Sequence, residues 1–408
     1  MRILHVLNYG WPHVDGCTAR GRSLVTAQAA ELGLDVRVAV SPFPVFARAT
    51  DPELTTPVWG PQQLQVPAVP GPRALPPSVR RFERPALGLG PLAEAEMARG
   101  LVRLAADWRP DVVHAHHPAY VGRAARTAAR VLGVPFVYEL RCFNGDYDLD
   151  AKNPYYLARG RRQNVLELAL CRKAGAVVTI SDGLAARIVA GGVPRERVHV
   201  VRNAVDTALW RPLERTPVPG RLTVGYATTF EAMEGLDTLV AAVGVAREQL
   251  AADGTELRVV LAGTGRDWQR IRDLVDTAGL ADVVELPGFL RLPELRELYR
   301  RLDLFVVPRR AAAVATDTTP LKPLEALAVG LPVLATDLPA LRELLAGRDG
   351  VRHVPASAEG LAAGLLDFRR QALDADRRAR PRRPRLVRRG APLPRRLRAG
   401  DRIMTPRP

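Results

Sequence analysis

Two successive series of short β-rich runs, each alternating with longer Ala/Leu/Arg segments at helical spacing, constrain this 408-residue chain more than any other feature. The first series holds "RILHVL", "VRVAV", "DVVHAH", "PFVYEL" and "AVVTIS"; the second holds "RLTVGYA", "ELRVVLAG", "DVVELPGF", "LDLFVVPR" and "LPVLATD". Apolar runs of strand length separated by helical crossovers are the pattern of a parallel sheet, because a parallel strand needs such a crossover to return to its neighbour. Two Rossmann-like halves are therefore predicted, and the length suits two cores of ordinary size. Between them, "NAVDTALWRPLERTPVPG" breaks both periods and is placed as the linker, near residues 204–220. The predicted boundaries are 1–205 and 206–368, with an Arg/Pro-rich tail at 369–408.

That tail explains most of the net charge of +16. Fifteen arginines and three aspartates fall between 369 and 408, a net +12, which leaves only +4 for residues 1–368. A nearly neutral body argues against a nucleic-acid binder, so no specific nucleic acid is expected as a partner. Six prolines and the lack of sustained apolar periodicity predict a disordered tail. A second proline-dense stretch, residues 41–92, is predicted to be a long loop region of the first half. Cys17, Cys142 and Cys171 lie far apart and form no CxxC pair, so neither a disulfide framework nor a zinc site is suggested. The apolar run Ile3 to Leu7 is interrupted by His5 and is too short for a leader or a membrane span, and a reducing cytoplasm is the expected location.

The segment "ATDTTPLKPLEALAVGLPVLATD" carries the most chemistry. Pro323 suits the first position of a helix running to about Val329, with Gly330 closing it. Lys322 then falls at the cap, where it offers no acceptor to the free N–H groups and its charge opposes the helix dipole. A diphosphate at this point would resolve the conflict, taking both the N–H groups and the ammonium. The plain structural alternative is a solvated lysine on a loop. Asp317 and Glu325 flank Lys322 with seven residues between them. Singly, Asp317 could be a turn residue and Glu325 a complement to the helix dipole. With Lys322 and a second Rossmann-like series, they suit a sugar nucleotide, one carboxylate for ribose hydroxyls and the other for the sugar.

The carboxylate pair and the following "PLEALAVGLPVLATD" resemble the signature of glycosyltransferase family 4. So do the opening "MRILHVLNYGWPHVDGCTARGRSLV", the block "PDVVHAHHPAYVGRAARTAARVLGVPFVYELR" and "AVVTISDGLAARIVAGGVPRERVHVVRNAVD". "TPLKPLEALA", "GYATTFEAMEGLD" and "DGCTARGRSL" resemble more narrowly its exosortase-associated exopolysaccharide branch, and the likeness covers about residues 1–368. The resemblance implies the α/β GT-B fold, two Rossmann-like domains with parallel sheets facing across a cleft. It also implies a retaining, metal-independent transferase with no cofactor, acting from a nucleotide-diphosphate sugar onto a glycan or lipid-linked acceptor in bacterial surface-polysaccharide synthesis. Peripheral contact with the inner membrane surface would follow from such an acceptor. By the same resemblance Glu325 matches the ribose-binding glutamate, and Asp317, one methylene short, matches the glutamate that reaches the donor sugar. Gly16 matches the glycine whose backbone approaches the diphosphate, and His116 matches a histidine facing the transferred sugar. Thr229, Thr318 and Thr319 complete the donor side. The catalytic set is then Asp317, Lys322 and His116.

One departure from the family pattern concerns charge. Many members carry an Arg and a Lys five apart after the first strand of the second domain, and here those positions are Thr229 and Glu234. Lys322 would take over that charge, with Arg20 or Arg22 of the first loop as further sources. Arg141 and Asn144, after "PFVYEL", sit at a strand's carboxyl end and are acceptor-site candidates, a structural ion pair being the alternative for Arg141. "DYDLD" lacks the Gly and Glu that a calcium loop needs at its sixth and twelfth positions, where Ala151 and Leu157 stand. "AGTG" lacks the third glycine of a dinucleotide fingerprint. A sugar-nucleotide epimerase of the same architecture and a catalytically weakened binding protein remain the alternative functions.

Overall fold

The computed structural model describes residues 1–8, 16–41, 63–65, 90–149, 153–215 and 217–379. Met1–Asp367 form one compact unit and Phe368–Pro408 a second. The first unit contains two parallel sheets.

The first sheet comprises β1 (Arg2–Leu7), β2 (Asp35–Val40), β3 (Gln63–Gln65), β4 (Val112–His116), β5 (Phe136–Leu140), β6 (Ala176–Thr179) and β7 (Val198–Val200). Their order is β3-β2-β1-β4-β5-β6-β7. The crossovers and connections carry α1 (Gly16–Ala30), α2 (Gly90–Ala105), α3 (Ala119–Leu132), α4 (Asp146–Leu149), α5 (Pro154–Lys173) and α6 (Asp182–Ala190). The second sheet comprises β8 (Arg221–Ala227), β9 (Glu256–Ala262), β10 (Val284–Gly288), β11 (Leu304–Val307), β12 (Val333–Thr336) and β13 (Val351–Val354), in the order β10-β9-β8-β11-β12-β13. Its helices are α7 (Leu236–Ala252), α8 (Trp268–Thr277), α9 (Leu292–Arg301), α10 (Ala313–Asp317), α11 (Lys322–Ala328), α12 (Pro339–Leu345) and α13 (Ala358–Ala379). In each sheet the order turns back beside the first strand, between β1 and β4 and between β8 and β11. Crevices for ligands open at the carboxyl ends of strands at such switch points.

Strands buried on both faces explain the near-continuous apolar runs of the sequence. Val6, Val38, Val113, Ala115, Tyr138 and Leu140 are fully buried in the first sheet, as are Leu261, Phe305, Val306 and Val307 in the second. Helix α3 lies close to its sheet because the residues it turns inward are small: Ala124, Ala125, Ala128 and Ala129 are buried, and a Cβ on Gly122 would come within 2.7 Å of the Tyr138 ring of β5. Gly133, at φ 70°, ends that helix in the left-handed conformation a glycine adopts without strain.

All ten strands read from the sequence are present. Three more, β3, β7 and β13, were not expected; each lies at a sheet edge and is defined by pairing with an existing strand more than by a run of its own. β3 falls inside the proline-dense stretch predicted as loop and pairs only at the sheet edge, the one place where neighbouring prolines do little harm. Residues 42–62 and 66–89 of that stretch lie outside the described residues. The start of the predicted disordered tail is helical instead: α13 continues to Ala379, because "RRQALDADRRA" is rich in helix formers and the next proline is Pro381. Residues 380–408 lie outside the description. Among the described residues no helix or strand falls between β7 and β8, a span that includes the linker predicted near 204–220, and no helix is long and apolar enough to cross a membrane.

Candidate functional site

The loops at the carboxyl ends of the second sheet hold most of the residues singled out from sequence. After β11, Pro308 leads into Arg309 and Arg310, then α10 and the turn from Thr318 to Leu321, and α11 begins at Lys322 with Pro323 second. Leu321 occupies the cap and makes no side-chain cap bond, so Lys322 is the first helical residue rather than the cap. Its Nζ lies 2.9 Å from Glu325 Oε2, one turn on, and the Tyr299 hydroxyl lies 3.5 Å from the same oxygen. Glu325 is buried, whereas the Lys322 side chain keeps 33% of its surface exposed.

Asp317 ends α10 and faces the first sheet's helices. Arg187 of α6 donates to its Oδ2 at 2.8 Å, and the Ser181 hydroxyl donates to its main-chain oxygen at 2.6 Å. A Cβ on Gly183 would approach its Oδ1 to 2.7 Å, so only glycine allows α6 to start so near. Thr319 is buried and accepts from Asn203 Nδ2 through both its carbonyl (2.8 Å) and its hydroxyl (3.1 Å). The Thr318 carbonyl accepts from Arg309 Nη1 at 2.8 Å. Thr229, on the loop after β8, is exposed.

Glu234, which stands where the resemblance led us to expect a cation, has a cation of its own. Arg309 grips it twice, Nη2 to Oε1 at 2.6 Å and Nε to Oε2 at 3.1 Å, and Tyr226 donates to the same carboxylate. Both residues are at most 4% exposed. Arg310 likewise holds Asp237 at 2.8 Å. Sequence reasoning passed over Arg309; its place just beyond the strand "LFVV" was the available signal.

At the carboxyl ends of the first sheet the candidates form a buried network. Arg141 donates to Glu139 Oε1 at 2.6 Å, to the Cys17 carbonyl at 2.6 Å and to His116 Nδ1 at 2.5 Å. Arginine only donates, so His116 Nδ1 accepts and its proton sits on Nε2. That proton goes to His5 Nδ1 at 2.8 Å, and His5 in turn donates from Nε2 to Gln28 Oε1 at 2.7 Å. Burial above all lowers the pKa of His5, His114 and His116 to about 3, leaving all three neutral. Burial alone would raise Glu139, but Arg141 and its other partners hold it well below the carboxylate range. Arg20 donates to Glu139 at 2.9 Å, to the Val201 carbonyl at 2.8 Å and to Asn203 at 3.3 Å. Buried in this way, Arg20 ties β5 to the segment just after β7, and Arg141 makes the structural ion pair. His116 is 1% exposed with both nitrogens engaged. Gly16 opens α1 with free space beyond its Cα, Arg22 is half-buried on the same helix, and Asn144 is half-buried in the turn before α4.

His5, His114 and His116 have nitrogens within 4.8 Å of one another, close enough to raise the question of a metal. The donor set argues against one. Two of the nitrogens already bond each other, and His116 turns its second nitrogen to a guanidinium, where a ligating histidine presents an N–H to an acceptor. The two described aspartates of "DYDLD" are taken up by ion pairs, Asp146 with Arg187 at 2.7 Å and Asp148 with Arg159 at 2.6 Å. A surface cavity of about 510 Å³ lined by Val218, Arg221, Arg258 and Asp282 lies at the amino ends of β8 to β10, away from all these residues.

Comparison with known proteins agrees with this layout. A family profile described as glycosyl transferase 4-like domain matches residues 15–204, and one described as glycosyl transferases group 1 matches residues 221–370. The chain is 30% identical over 350 residues to D-inositol 3-phosphate glycosyltransferase 1 of Catenulispora acidiphila, covering 79% of this chain and 77% of that one. It is also 30% identical over 285 residues to glycogen synthase of Mycobacterium tuberculosis, covering 69% of this chain and 65% of that relative's length. Among solved structures, sucrose-phosphate synthase of Thermosynechococcus elongatus superposes with a TM-score of 0.69 at 17% identity, over 91% of both chains. Anabaena Alr3699/HepE in complex with UDP superposes at 0.63, also at 17% identity and over 91% of both.

Proposed function

On the premise that the chain belongs to the group 1 glycosyl transferases with a 4-like amino-terminal domain, of GT-B fold, we propose that it moves a sugar from a nucleotide-diphosphate donor to a glycan or lipid-linked acceptor. The reading extends to retention at the anomeric carbon, to a reaction without a metal, and to work at the inner face of a bacterial membrane in surface-polysaccharide synthesis. The observation that carries it is the Lys322–Glu325 pair in the loops at the carboxyl ends of the second sheet. Lys322 is the more exposed partner and can swing to a diphosphate, which frees Glu325 for ribose hydroxyls. The UDP bound to the Anabaena structure supports a donor of this class.

In the reaction, the acceptor oxygen bonds the anomeric carbon as the bond to the diphosphate oxygen breaks. The departing phosphate oxygen takes the acceptor's proton, so attack comes from the leaving-group face. Lys322 stabilises the charge that develops on the diphosphate, and Asp317 orients the sugar; His116, buried with both ring nitrogens engaged, does not reach it. A thermal-shift panel of UDP, GDP and ADP should raise the melting midpoint by several degrees with one of them. Glu325→Ala should abolish that shift, and Lys322→Ala should lower turnover at least tenfold. Unchanged binding and turnover in both variants would remove the site assignment. A sugar product formed without any acceptor would mark an epimerase instead.

A further inference from the structure

We propose that Arg309 is a positioning residue for the donor diphosphate: it cancels the buried Glu234 carboxylate so that an anion can be accepted at these strand ends. The inference rests on the nucleotide-diphosphate reading above. Glu234 ends a short 3-10 turn after β8, against the segment that follows β11, and is 3% exposed. It cannot turn away. Gly235, at φ 68°, follows it, and a Cβ there would lie 2.0 Å from the Pro308 carbonyl oxygen, so the turn and the segment after β11 are in backbone contact. Arg309 is fixed from the other side: the Thr336 hydroxyl donates to its carbonyl at 2.6 Å, and its Nη1 holds the Thr318 carbonyl.

A carboxylate locked at this place would repel any phosphate brought beside Lys322, because little water is present to screen it. The bidentate guanidinium removes that repulsion, and through Thr318 it also sets the turn that leads into Lys322 and Glu325. The surrounding cations are balanced in the same way, Arg310 by Asp237 and Lys322 by Glu325. Changing one member of the Arg309–Glu234 pair therefore shifts the charge offered to an anion by a full unit in a predictable direction.

That sign is the test. The full-length chain, Glu234→Gln, Arg309→Met and the double variant would be titrated calorimetrically with UDP, GDP and ADP at low and high salt, with uridine as the phosphate-free control. Glu234→Gln leaves Arg309 uncancelled and should bind the preferred nucleotide about tenfold tighter, with a steeper loss on adding salt. Arg309→Met should bind it at least tenfold more weakly, the double variant should return to within a few-fold of the parent, and uridine should not discriminate among the four. A pair that merely holds the fold predicts the opposite for Glu234→Gln, an unchanged or weaker affinity, and that result overturns the inference alone. If Arg309→Met does not fold, the Glu234→Gln sign decides by itself, since the amide keeps the shape and an acceptor for Arg309. A parent chain that binds none of the three nucleotides removes the proposed function and this inference with it.

Discussion

At position 187 one guanidinium serves two carboxylates. Arg187 Nη1 lies 2.7 Å from Asp146 and 2.8 Å from Asp317, and its plane rests 4.3 Å over the Phe143 ring. The two acids depend on it unequally. The Asp146 side chain is 2% exposed and its other described partner is Asn164, whereas Asp317 retains some contact with solvent. Arg187→Met, which leaves Asp146 uncompensated, should cost about 3 kcal/mol in denaturant unfolding. Asp317→Asn keeps an acceptor for the arginine and should cost about 1 kcal/mol or less. If Asp317 orients the sugar, the same Asn variant should lose turnover about tenfold without a matching loss of stability. Equal stability losses in the two variants, with turnover intact in Asp317→Asn, would make Asp317 a strut only. The sequence displays Asp317 beside Glu325 through their spacing, but a partner 130 positions earlier leaves no local signal, and the same holds for Arg20 with Glu139 and Asn203 with Thr319.

The loops after β8 and β9 show that glycines which make no nucleotide fingerprint can still be structurally required. "AGTG" was set aside as an incomplete dinucleotide fingerprint, yet both glycines are required by the packing of one loop on the other. Thr228 N donates to the Ala262 carbonyl and Phe230 N to the Thr264 carbonyl, each at 3.0 Å. A Cβ on Gly263, at φ 134°, would fall 1.8 Å from the Thr228 oxygen, and one on Gly265 would fall 2.3 Å from the Phe230 oxygen. Gly263→Ala should therefore destabilise the chain by about 3 kcal/mol or more, the sum of a strained φ and a backbone collision. Because this contact holds the loop that carries Thr229, nucleotide binding should weaken alongside the thermal midpoint. A variant that melts and binds like the parent would mean that the two loops separate at no cost. Interior strands, even the four-residue β6, β11 and β12, were legible because burial on both faces writes an apolar run into the sequence. The short strands β3, β7 and β13 were not, since pairing with an existing edge defines them more than their own residues do.

Across the whole molecule, the buried titratable groups set the pH response, and two opposing sets must be weighed. His5, His114 and His116 have folded pKa values near 3 against 6.5 when exposed, so their stabilising effect is present above pH 6.5 and is lost as the pH falls toward 3. Glu139, held well below its usual range, acts in the same direction at the acid end. Glu167 opposes them. Buried in α5, it accepts from the Ala119 amide at 2.9 Å and the Tyr138 hydroxyl at 2.5 Å, but burial still pushes its pKa up to about 7. Its contribution is present below pH 4.5 and is lost as the pH rises through 7. Near pH 5 the unfolded chain binds roughly three more protons on the histidines and one fewer on Glu167. The excess of roughly two protons gives stability that rises by about 2.5 kcal/mol per pH unit. The three histidines outweigh the single glutamate, so the fold should be labile to mild acid, with the unfolding midpoint climbing from pH 4.5 to 6.5. Glu167→Gln removes the opposing term and should steepen that climb. A midpoint that stays flat or falls over this interval would show that the histidines take up protons in the folded chain, and with them that the Arg141–His116–His5–Gln28 chain is not the neutral, directional relay its distances describe.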